Sequence, residues 1–425
     1  MDIRTLYDLF LRHPSVETDT RKLQEGDIFF ALKGPNFNGN HYLQQALSAG
    51  AAYCIADEIS DIKNDRIIKV SDSLHTLQQL AKMHREQFDI PFIAITGSNG
   101  KTTTKELVSQ VLSTEYITYT TFGNLNNHIG IPLTLLKIKK NAQMAVIEMG
   151  ANHLKEIESY CEYTQPTHSI ITNCGKAHLE GFGGEEGVRK GKGELFDFTR
   201  KHGGTAFVNM DYDYMKLMSQ GIKSLTTYGK KEGDITGMVI SDENFLEISI
   251  TKGAELNSIK TQLVGGYNLP NILIAISVGK LFNIKDNNIK KALENYLPSN
   301  SRSQLLQVDS NKIILDAYNA NPSSMIAAIK NFASMHGDKK ILLLGGMMEL
   351  GAESINEHTA IVKLILQYQW YKVVLVGKDY INLPGTFIHF NNVAEASAWF
   401  NLQKFKETLI LIKGSRSMAM EKVLD

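Results

Sequence analysis

The chain has 425 residues, which is too long for one ordinary hydrophobic core, so two or three domains are expected. Lysine plus arginine and aspartate plus glutamate both number 45, and this balance excludes the global positive field typical of nucleic-acid-binding proteins. No apolar run approaches the ~20 residues of a membrane span, and the N-terminal residues lack the pattern of a signal peptide. We therefore expect a cytoplasmic protein with local binding sites.

Three cysteines, Cys54, Cys161 and Cys174, are widely separated along the chain. Their odd number and spacing argue against a disulfide framework or a CxxC metal knuckle. We expect them to be small buried side chains in a reducing compartment.

The first block of the chain contains a small βαβ-like unit. GDIFFALKG (residues 26–34) has the pattern of a strand that ends in a loop, HYLQQALSAG (residues 41–50) that of a helix, and AAYCIAD (residues 51–57) that of a strand. A further helix is expected around residues 74–88, before Pro91. The prediction is a small α/β N-terminal domain of residues 1–88.

The second block begins with FIAITGSNGKTTTKELV (residues 92–108), an apolar strand followed by a glycine-containing loop and a helix. The apolar strands MAVIEM (residues 144–149) and HSIITN (residues 168–173) follow, separated by helical stretches. Short apolar strands that alternate with helices indicate a parallel sheet covered on both faces. The prediction is a central parallel-sheet domain of residues 89–300.

The third block contains four strands that each precede a glycine or a polar turn. They are KIILDAY (residues 312–318), KKILLLGG (339–346), YKVVLVG (371–377) and TLILIKG (408–414). This pattern predicts a second doubly wound, Rossmann-like α/β domain of residues 301–425. The fold class is therefore α/β with three domains.

TGSNGKTT (residues 96–103) predicts a phosphate-binding loop. Its glycines allow backbone N–H groups to converge on phosphate oxygens, the helix start adds its positive dipole end, Lys101 supplies a cation and Thr102 an oxygen for Mg²⁺. The P-loop pattern is incomplete because Ile95 stands at its first glycine, and an ordinary strand–helix turn is the competing interpretation. The predicted nucleotide-binding residues are Gly97, Ser98, Asn99, Gly100, Lys101, Thr102 and Thr103.

Three further residues are candidates for a metal site beside this loop. Glu148 ends an apolar strand, where a carboxylate can face Mg²⁺ as Walker-B acids do, or can be solvated. His178 lies in a glycine-rich loop at the same end of the sheet, as a ligand or a structural histidine. Lys190 and Lys192 are predicted to open a helix. They form a solvated basic patch there, or one of them is carbamylated and supplies an oxygen ligand to Mg²⁺.

The remaining candidates lie in the last third of the chain. Asn268 and Asn271 start an apolar helix, where paired amides can read a base edge or one of them can cap the helix. Arg302 is a candidate to reach the γ-phosphate, and Asp316 ends a strand in a position suited to ribose hydroxyls. The predicted substrate contacts are Asn319, Asn321, Lys413 and Arg416. A solvated loop is the alternative interpretation for Lys413 and Arg416.

A series of motifs resembles the Mur ligase family along the whole chain. They are TGSNGKTTTKEL, GNLNNHIGIPLTLL, EMGANH, ITNCGKAHLEGFG, KGKGELF, YNLPN, SRSQ, DAYNANP and KGSRSM, with DTRKLQEGDIFFALKG in the first block. The resemblance is strongest to the members that join D-alanyl-D-alanine to UDP-N-acetylmuramoyl-tripeptide. It implies an ATP- and Mg²⁺-dependent amide ligase that acts on these small molecules, without nucleic acid, and we expect a monomer.

The resemblance also implies roles for individual residues. Lys101, Glu148, His178 and Lys192 would be catalytic; Thr102, Glu148 and His178 would bind the metal with a carbamylated Lys192. Asn268 and Asn271 would lie beside adenine, Asp316 beside ribose and Arg302 beside phosphate. The residues implied near the substrate carboxylate and the uridine diphosphate are Asn124, Asn126, Asn127, Thr18, Asp19, Thr20, Arg21 and Lys33.

Three positions depart from the family pattern. Members commonly have aspartate where Gly346 stands, serine at Ala317 and an acidic residue at Asn38. Two alternative functions are another ligase of the superfamily, such as a muramyl-tripeptide synthetase or a folylpolyglutamate synthase, and a nucleotide-dependent regulatory protein.

Overall fold

The computed structural model describes residues 2–58, 64–299, 301–381, 383 and 385–425. Residue 300, where we place the second domain boundary, lies outside the described residues. Three main sheets follow one another along the chain, with helices on their faces, which confirms the predicted α/β class. No helix of the described residues is long and apolar enough to cross a membrane.

The first sheet has the strand order β1-β2-β5-β6, and all of its strands are parallel. Its elements and a small β3–β4 hairpin are α1 (Ile3–Arg12), β1 (Val16–Glu17), β2 (Ile28–Phe30), β3 (Lys33–Gly34), β4 (Phe37–Asn38), α2 (Leu43–Ser48), β5 (Tyr53–Ala56), β6 (Ile67–Lys69) and α3 (Ser73–Arg85). The strands and helices predicted in this block are confirmed.

Helix α3 joins this first block to the central one. Arg85 is buried, its guanidinium donates to the carbonyl oxygens of Thr164 (2.8 Å) and Gln165 (2.9 Å), and it stacks on the ring of Phe92. His84 is also buried, and its Nε2 donates to the carbonyl oxygen of Ile138 at 2.8 Å. The first block is therefore fixed to the central block along the length of α3.

The central sheet has nine strands in the order β15-β14-β13-β12-β11-β10-β7-β9-β8. Its elements are β7 (Phe92–Thr96), α4 (Lys101–Leu112), β8 (Thr118–Thr120), α5 (Gly130–Leu136), β9 (Met144–Glu148), α6 (Glu156–Thr164), β10 (His168–Ile171), α7 (Leu179–Phe182), α8 (Glu185–His202), β11 (Thr205–Asn209), α9 (Asp213–Met218), β12 (Ser224–Gly229), β13 (Ile235–Ser241), β14 (Glu247–Lys252), β15 (Ile259–Lys260), α10 (Leu269–Leu281) and α11 (Asp286–Asn295).

The parallel sheet predicted for this block is confirmed from β8 to β13. Every residue of β7 and β9 is buried, as expected for strands covered by helices on both faces. Strands β14 and β15 extend the sheet in antiparallel fashion, which the sequence did not predict. Because β7 lies between β9 and β10, the loops after these three strands meet at one edge, where open α/β sheets bind ligands.

The third sheet has the order β16-β17-β21-β18-β19-β20, and only β16 is antiparallel to its neighbour. Its elements are β16 (Gln304–Val308), β17 (Asn311–Asp316), α12 (Pro322–Ser334), β18 (Lys340–Gly345), α13 (Ser354–Ile365), β19 (Lys372–Val376), β20 (Ile388–Phe390), α14 (Val393–Gln403) and β21 (Leu409–Lys413). This confirms the second doubly wound sheet.

Short 3₁₀ helices complete the described chain: Gly39–Tyr42, Gly266–Asn268, Gly351–Glu353, Lys378–Tyr380, Arg416–Met418 and Met420–Leu424. The three cysteines are free and buried, as predicted. Burial raises the pKa of the Cys54 thiol to about 11 and that of Cys174 to about 12.

Candidate active site

A cavity of about 760 Å³ lies between the carboxyl edge of the central sheet and the third block. The loops after β7, β9 and β10 and the start of α10 form one side, and the segment around β16, the loop after β17 and the end of β21 form the other. The predicted site residues that line this cavity are Ser98, Asn99, Gly100, Lys101, Thr102, Thr103, Asn126, Asn127, Glu148, His178, Asn268, Asn271, Arg302, Asp316, Asn319, Asn321 and Lys413.

The loop between β7 and α4 depends on two glycines. Gly97 has φ +141°, and a Cβ there would lie 2.0 Å from the hydroxyl of Thr172. Gly100 has φ +80°, and a Cβ there would lie 2.6 Å from the side-chain oxygen of Asn271. Larger residues would be strained at both positions and would push the neighbouring strand and helix away. The loop can therefore turn tightly enough to present its N–H groups at the start of α4.

Lys101 is the first residue of α4, and its ammonium folds back over the loop. Its Nζ donates to the carbonyl oxygen of Gly97 at 2.6 Å and to that of Ser98 at 3.3 Å. Burial lowers the pKa of Lys101, and the nearby carboxylate of Glu148 partly opposes this shift. These carbonyl contacts place a cation directly above the proposed phosphate position.

Glu148 is the last residue of β9 and is 1% exposed. Its Oε1 accepts from the hydroxyl of Thr102 at 3.1 Å and from the amide of Asn126 at 2.8 Å. Its Oε2 is buried and has no hydrogen-bond partner among the described residues. A buried carboxylate oxygen without a partner is costly unless a cation meets it.

This arrangement fits a Mg²⁺ site that is completed by a nucleotide. Within the described ranges no three His, Cys, Asp or Glu side chains cluster as a protein-only metal site. Mg²⁺ is usually held by one or two carboxylates together with phosphate oxygens and water. The hydroxyl of Thr102 and the free oxygen of Glu148 supply the protein part of such a set.

His178 lies in the loop after β10 in a left-handed conformation, with φ +53°. Its Nδ1 contacts the carboxylate of Glu349, which comes from the third block. The contact with His178 is the main cause that lowers the pKa of the Glu349 carboxyl, although Nδ1 of His178 makes no aligned hydrogen bond among the described residues. The histidine therefore lines the cavity and also belongs to the interface between the two blocks.

The prediction that Lys190 and Lys192 open a helix is wrong, because α8 begins at Glu185. Lys190 is exposed and Lys192 is 0% exposed, so they do not form a shared basic patch. The Nζ of Lys192 donates to the carbonyl oxygen of Ala151 at 2.8 Å, and it lies over the ring of Phe182. Burial, followed by the charge of Lys101, lowers the pKa of Lys192 to about 7.

Asn268 and Asn271 form a buried amide pair at the start of α10. The Nδ2 of Asn271 donates to the Oδ1 of Asn268 at 2.8 Å, and Asn268 donates to the carbonyl oxygen of Val264. Asn268 precedes the first residue of α10 but makes no side-chain capping bond, so the capping interpretation is wrong for this helix. Each amide keeps a free N–H and a free lone pair for a ligand in the cavity.

Arg302 reaches the cavity from the third block. Its guanidinium stacks over the ring of Tyr318 with 3.5 Å between the guanidinium carbon and the ring centre. Its Nε is buried and has no hydrogen-bond partner among the described residues. A stacked guanidinium with unused donors suits a phosphate oxygen.

Asp316 and Lys413, which also line the cavity from the third block, form an ion pair. The Nζ of Lys413 lies 2.6 Å from Oδ2 of Asp316 and donates to the carbonyl oxygen of Asn319, and Lys413 is 2% exposed. This excludes the solvated-loop interpretation for Lys413. Arg416 is exposed and does not line the cavity.

The third block touches the phosphate loop directly. The Nδ2 of Asn321 donates to the side-chain oxygen of Asn99 at 2.8 Å, while its Oδ1 caps α12 by accepting from the N–H of Ser324 at 2.9 Å. The Nζ of Lys176 lies 2.6 Å from the carboxylate of Glu357. These contacts link the loops after β7 and β10 to the third block.

The asparagines of the GNLNN loop (residues 123–127) have different surroundings. Asn126 binds Glu148, and the Oδ1 of Asn127 accepts from the N–H groups of Ile129 and Gly130. Asn124 is exposed and does not line the cavity.

The residues implied for uridine diphosphate lie in the first block, away from the cavity lining. Arg21 forms an ion pair with Asp19, whose pKa falls to about 2 because Arg21 donates to it. Lys33 lies 3.0 Å from the carboxylate of Glu58. The remaining first-block residues of this group are Thr18 and Thr20. Two predicted site residues of the central block, Gly97 and Lys192, also do not line the cavity.

Comparisons with known proteins agree with this geometry. The Mur ligase middle domain matches residues 95–279, and the Mur ligase, glutamate ligase domain matches residues 301–416. A UDP-N-acetylmuramoyl-tripeptide–D-alanyl-D-alanine ligase of Bacillus subtilis is 35% identical over 96% of this chain and 92% of its own. The chain belongs to the Mur ligase family.

Other Mur ligases repeat this result. The Escherichia coli protein with the same name is 34% identical over 96% of this chain and 92% of its own. Among solved structures, MurF from Acinetobacter baumannii has a TM-score of 0.89 at 30% identity, covering 96% of this chain and 92% of its own. MurF ligase from Thermotoga maritima in complex with ADP has a TM-score of 0.88 at 26% identity, covering 98% and 97%.

At two of the three positions that depart from the Mur ligase pattern, a neighbouring carboxylate lies beside the departing residue. A Cβ at Gly346 would lie 2.8 Å from the carboxylate of Asp379, so a different acidic side chain fills this space. Asn38 donates to the carboxylate of Glu58 at 2.7 Å, which places a carboxylate beside this position too. Ala317 is fully buried, and nothing in the structure explains its difference from serine.

Sequence reasoning missed several residues of the cavity. Asn173 donates to the carbonyl oxygen of Asn99, Tyr318 stacks on Arg302, and Ser323 accepts from the N–H of Lys176. Asn173 and Tyr318 are the last residues of two predicted strands, so the rule that ligands collect at carboxyl strand ends could have found them. Ser323 and Glu349 act across the block interface and carry no local signal.

Proposed function

We propose that this Mur ligase joins D-alanyl-D-alanine to UDP-N-acetylmuramoyl-tripeptide with ATP, giving the pentapeptide precursor of peptidoglycan. The observation that carries this proposal is the phosphate loop of the central block facing Arg302 and Asn321 of the third block across one cavity. Relatives that bear this activity in their names match 96% of the chain, and a similar structure contains ADP.

The proposed reaction proceeds through an acyl phosphate. A carboxylate is a poor electrophile without an adequate leaving group, so ATP first phosphorylates the terminal carboxylate of the tripeptide. The amine of D-alanyl-D-alanine then attacks the acyl carbon, and the tetrahedral intermediate expels phosphate. Positioning and charge stabilisation carry such a reaction, and no side-chain nucleophile is required.

The phosphate loop would hold the triphosphate of ATP. The N–H groups at the start of α4 would donate to its oxygens, and the ammonium of Lys101, which lies over the loop, would lie beside them. Asn268 and Asn271 would contact adenine with their free amide atoms, and Asp316 would contact ribose. Arg302 would bind phosphate from the third block, with its stack on Tyr318 keeping the planar guanidinium oriented.

Thr102, Glu148 and His178 would hold Mg²⁺, as the free oxygen of Glu148 supports. When bound, Mg²⁺ would neutralise negative charge on the phosphates during transfer. The lowered pKa of Lys192 supports carbamylation, because CO₂ reacts with a neutral amine. A carbamylated Lys192 would replace a buried ammonium with a negatively charged oxygen group beside the carbonyl of Ala151.

The parts outside the ATP site have proposed roles too. We divide the chain at residues 88 and 300 into a uridine-diphosphate-binding domain, an ATP-binding domain and a ligase domain. Asn126 and Asn127 would lie near the tripeptide carboxylate, and Asn319 near the incoming dipeptide. We also propose a monomer in the cytoplasm, a location that the unpaired buried cysteines support.

The test is a ligation assay with ATP, D-alanyl-D-alanine and UDP-N-acetylmuramoyl-tripeptide that carries either lysine or diaminopimelate at its third position. We expect a pentapeptide product by mass spectrometry, and phosphate release only when both acceptor and donor are present. Rapid ATP hydrolysis without them would overturn the proposal.

The same assay separates the two alternatives. A muramyl-tripeptide synthetase would use the dipeptide nucleotide and a free amino acid, and a folylpolyglutamate synthase would use a folate and glutamate. A regulatory protein would bind nucleotide and form no amide product. A folylpolyglutamate synthase of known structure is only 13% identical to the chain, which shows a shared fold alone.

A further inference from the structure

Glu349 belongs to the third block but is held against the central block. It lies in the loop after β18 in a left-handed conformation, with φ +61°. Its carbonyl oxygen accepts from the N–H of Glu180 at 3.3 Å, and its carboxylate contacts Nδ1 of His178. Both the backbone and the side chain of Glu349 therefore face the loop that follows β10.

The contact with Glu349 decides which nitrogen of His178 is free. Nδ1 of His178 is buried and makes no aligned hydrogen bond among the described residues. The carboxylate of Glu349 is the acceptor in contact with it. A carboxylate can only accept, so this contact favours a neutral His178 that carries its proton on Nδ1. Nε2 then keeps its lone pair. Histidine ligands of metals commonly donate their other ring N–H to a carboxylate, which fixes the ring and its tautomer.

We propose that Glu349 is a positioning residue that fixes the tautomer and orientation of His178 for Mg²⁺. This inference rests on the proposed function, in which His178 is a metal ligand. Because Glu349 comes from the third block, His178 is oriented only when this block lies against the central block. The third block that supplies Arg302 to the cavity therefore also supplies the carboxylate that contacts His178.

A second ion pair across this interface provides a matched control. Lys176 and Glu357 lie 2.6 Å apart, connect the same two blocks, and do not include His178. Glu357→Gln weakens the docking of the blocks without touching the histidine. Glu349→Ala removes the contact, while Glu349→Gln keeps an oxygen that can accept from Nδ1. The side chain of Glu349 is 50% exposed, so these changes leave the core intact.

The first measurement is ¹⁵N NMR of histidine side chains in the full chain with ADP, and His178→Asn identifies the His178 signals. We expect the Nδ1–H tautomer in the wild type and in Glu349→Gln, and a shift toward the Nε2–H tautomer in Glu349→Ala. Glu357→Gln should leave the tautomer unchanged. An unchanged His178 spectrum in Glu349→Ala would overturn the proposal.

The second measurement is Mn²⁺ binding to the ADP complex, followed by electron paramagnetic resonance. We expect Glu349→Ala to weaken Mn²⁺ binding about 10- to 100-fold, with partial recovery in Glu349→Gln and no change in Glu357→Gln. An equal loss in Glu357→Gln would overturn the proposal, since docking alone would then explain it. Failure of the wild type to make pentapeptide would instead refute the proposed function and leave the tautomer result standing.

Discussion

The hydroxyl of Thr102 lies 3.1 Å from Oε1 of Glu148, and the other oxygen of this carboxylate is buried with no partner in the described part of the chain. The two residues come from the first turn of α4 and the end of β9, which lie side by side because β7 and β9 are neighbours. The free oxygen is the group that a cation would neutralise.

The first prediction concerns Glu148→Gln. The amide keeps the shape but binds Mg²⁺ poorly, so we expect ligation to fall about 10²- to 10³-fold. The melting temperature without ligand should not fall, because the substitution removes a buried charge whose second oxygen has no partner and is therefore unfavourable in the folded protein. The stabilisation of the wild type by ADP with Mg²⁺ should disappear in the variant. Thermal shift and ligation assays measure these effects.

Glu162→Gln is the control for this prediction, because it removes an equal charge from an exposed position on α6. It should match the wild type in both assays. Near-normal ligation by Glu148→Gln would show that the carboxylate does not hold the metal.

The second prediction concerns the pair Lys192 and Lys190, which are buried and exposed respectively. Lys192→Ala should abolish ligation, and chloride or small carboxylates should not restore it fully, while Lys190→Ala should remain active. Turnover close to the wild type in Lys192→Ala would remove the carbamate role.

The third prediction gives this carbamate a pH dependence. The pKa of Lys192 is about 7, so the amine is neutral above this pH and can react with CO₂, and it is protonated below. In ¹³CO₂-equilibrated protein, a carbamate signal should be present near pH 8 and decline as the pH falls through 7. The signal should be absent from Lys192→Ala and present in Lys190→Ala. A signal that persists unchanged at pH 5 would contradict the assignment.

The fourth prediction separates two roles of Asn321. Its Oδ1 caps α12 and its Nδ2 binds Asn99 of the phosphate loop. Asn321→Asp keeps the capping oxygen and loses the donor, so stability should be retained while the KM for ATP rises. Asn321→Ala loses both, and the free energy of unfolding should also fall by about 1 kcal/mol. Equal stability of the two variants would argue against the cap, and an unchanged KM in both against the contact with Asn99.

The fifth prediction concerns the stability of the central block at low pH. Burial lowers the pKa of His168 from 6.5 to about 4. In this range the unfolded chain binds a proton that the folded chain does not, so stability is lost as the pH falls from about 6.5 to 4. The loss from this one group is on the order of 3 kcal/mol.

Melting temperatures of the wild type, His168→Gln and His336→Gln across this range test the fifth prediction. His168→Gln should flatten the pH dependence, while His336→Gln should not, because His336 is 86% exposed. Parallel curves for all three proteins would show that His168 does not contribute.

The sequence predicted the parts of the fold that depend on local patterns. The buried strands β7, β9 and β10 are continuous apolar runs, and the loops after them meet because parallel strands end at one edge. The antiparallel strands β14 and β15 were missed. Strand β14 has the alternating burial of a half-covered strand, and its direction depends on pairing with β13.

The sequence could not predict contacts that join distant parts of the chain. Asn99 and Asn321 are 222 positions apart, and their hydrogen bond exists because the third block lies on the phosphate loop. The burial of Lys192 also has no local sign, since its neighbour Lys190 has the same chemistry and faces solvent. Packing between elements, rather than residue type, determined which of the two lysines is buried.

Helix α3 gives the first block a fixed place on the central one, through Arg85, His84 and a shared apolar core that includes Leu77 and Leu80. Under the proposed function, the anchor for the uridine end of the substrate and the phosphate loop then belong to one rigid frame. Under that function, the fixed distance between the two sites would admit a peptide stem of one length and leave shorter stems out of reach of the nucleotide.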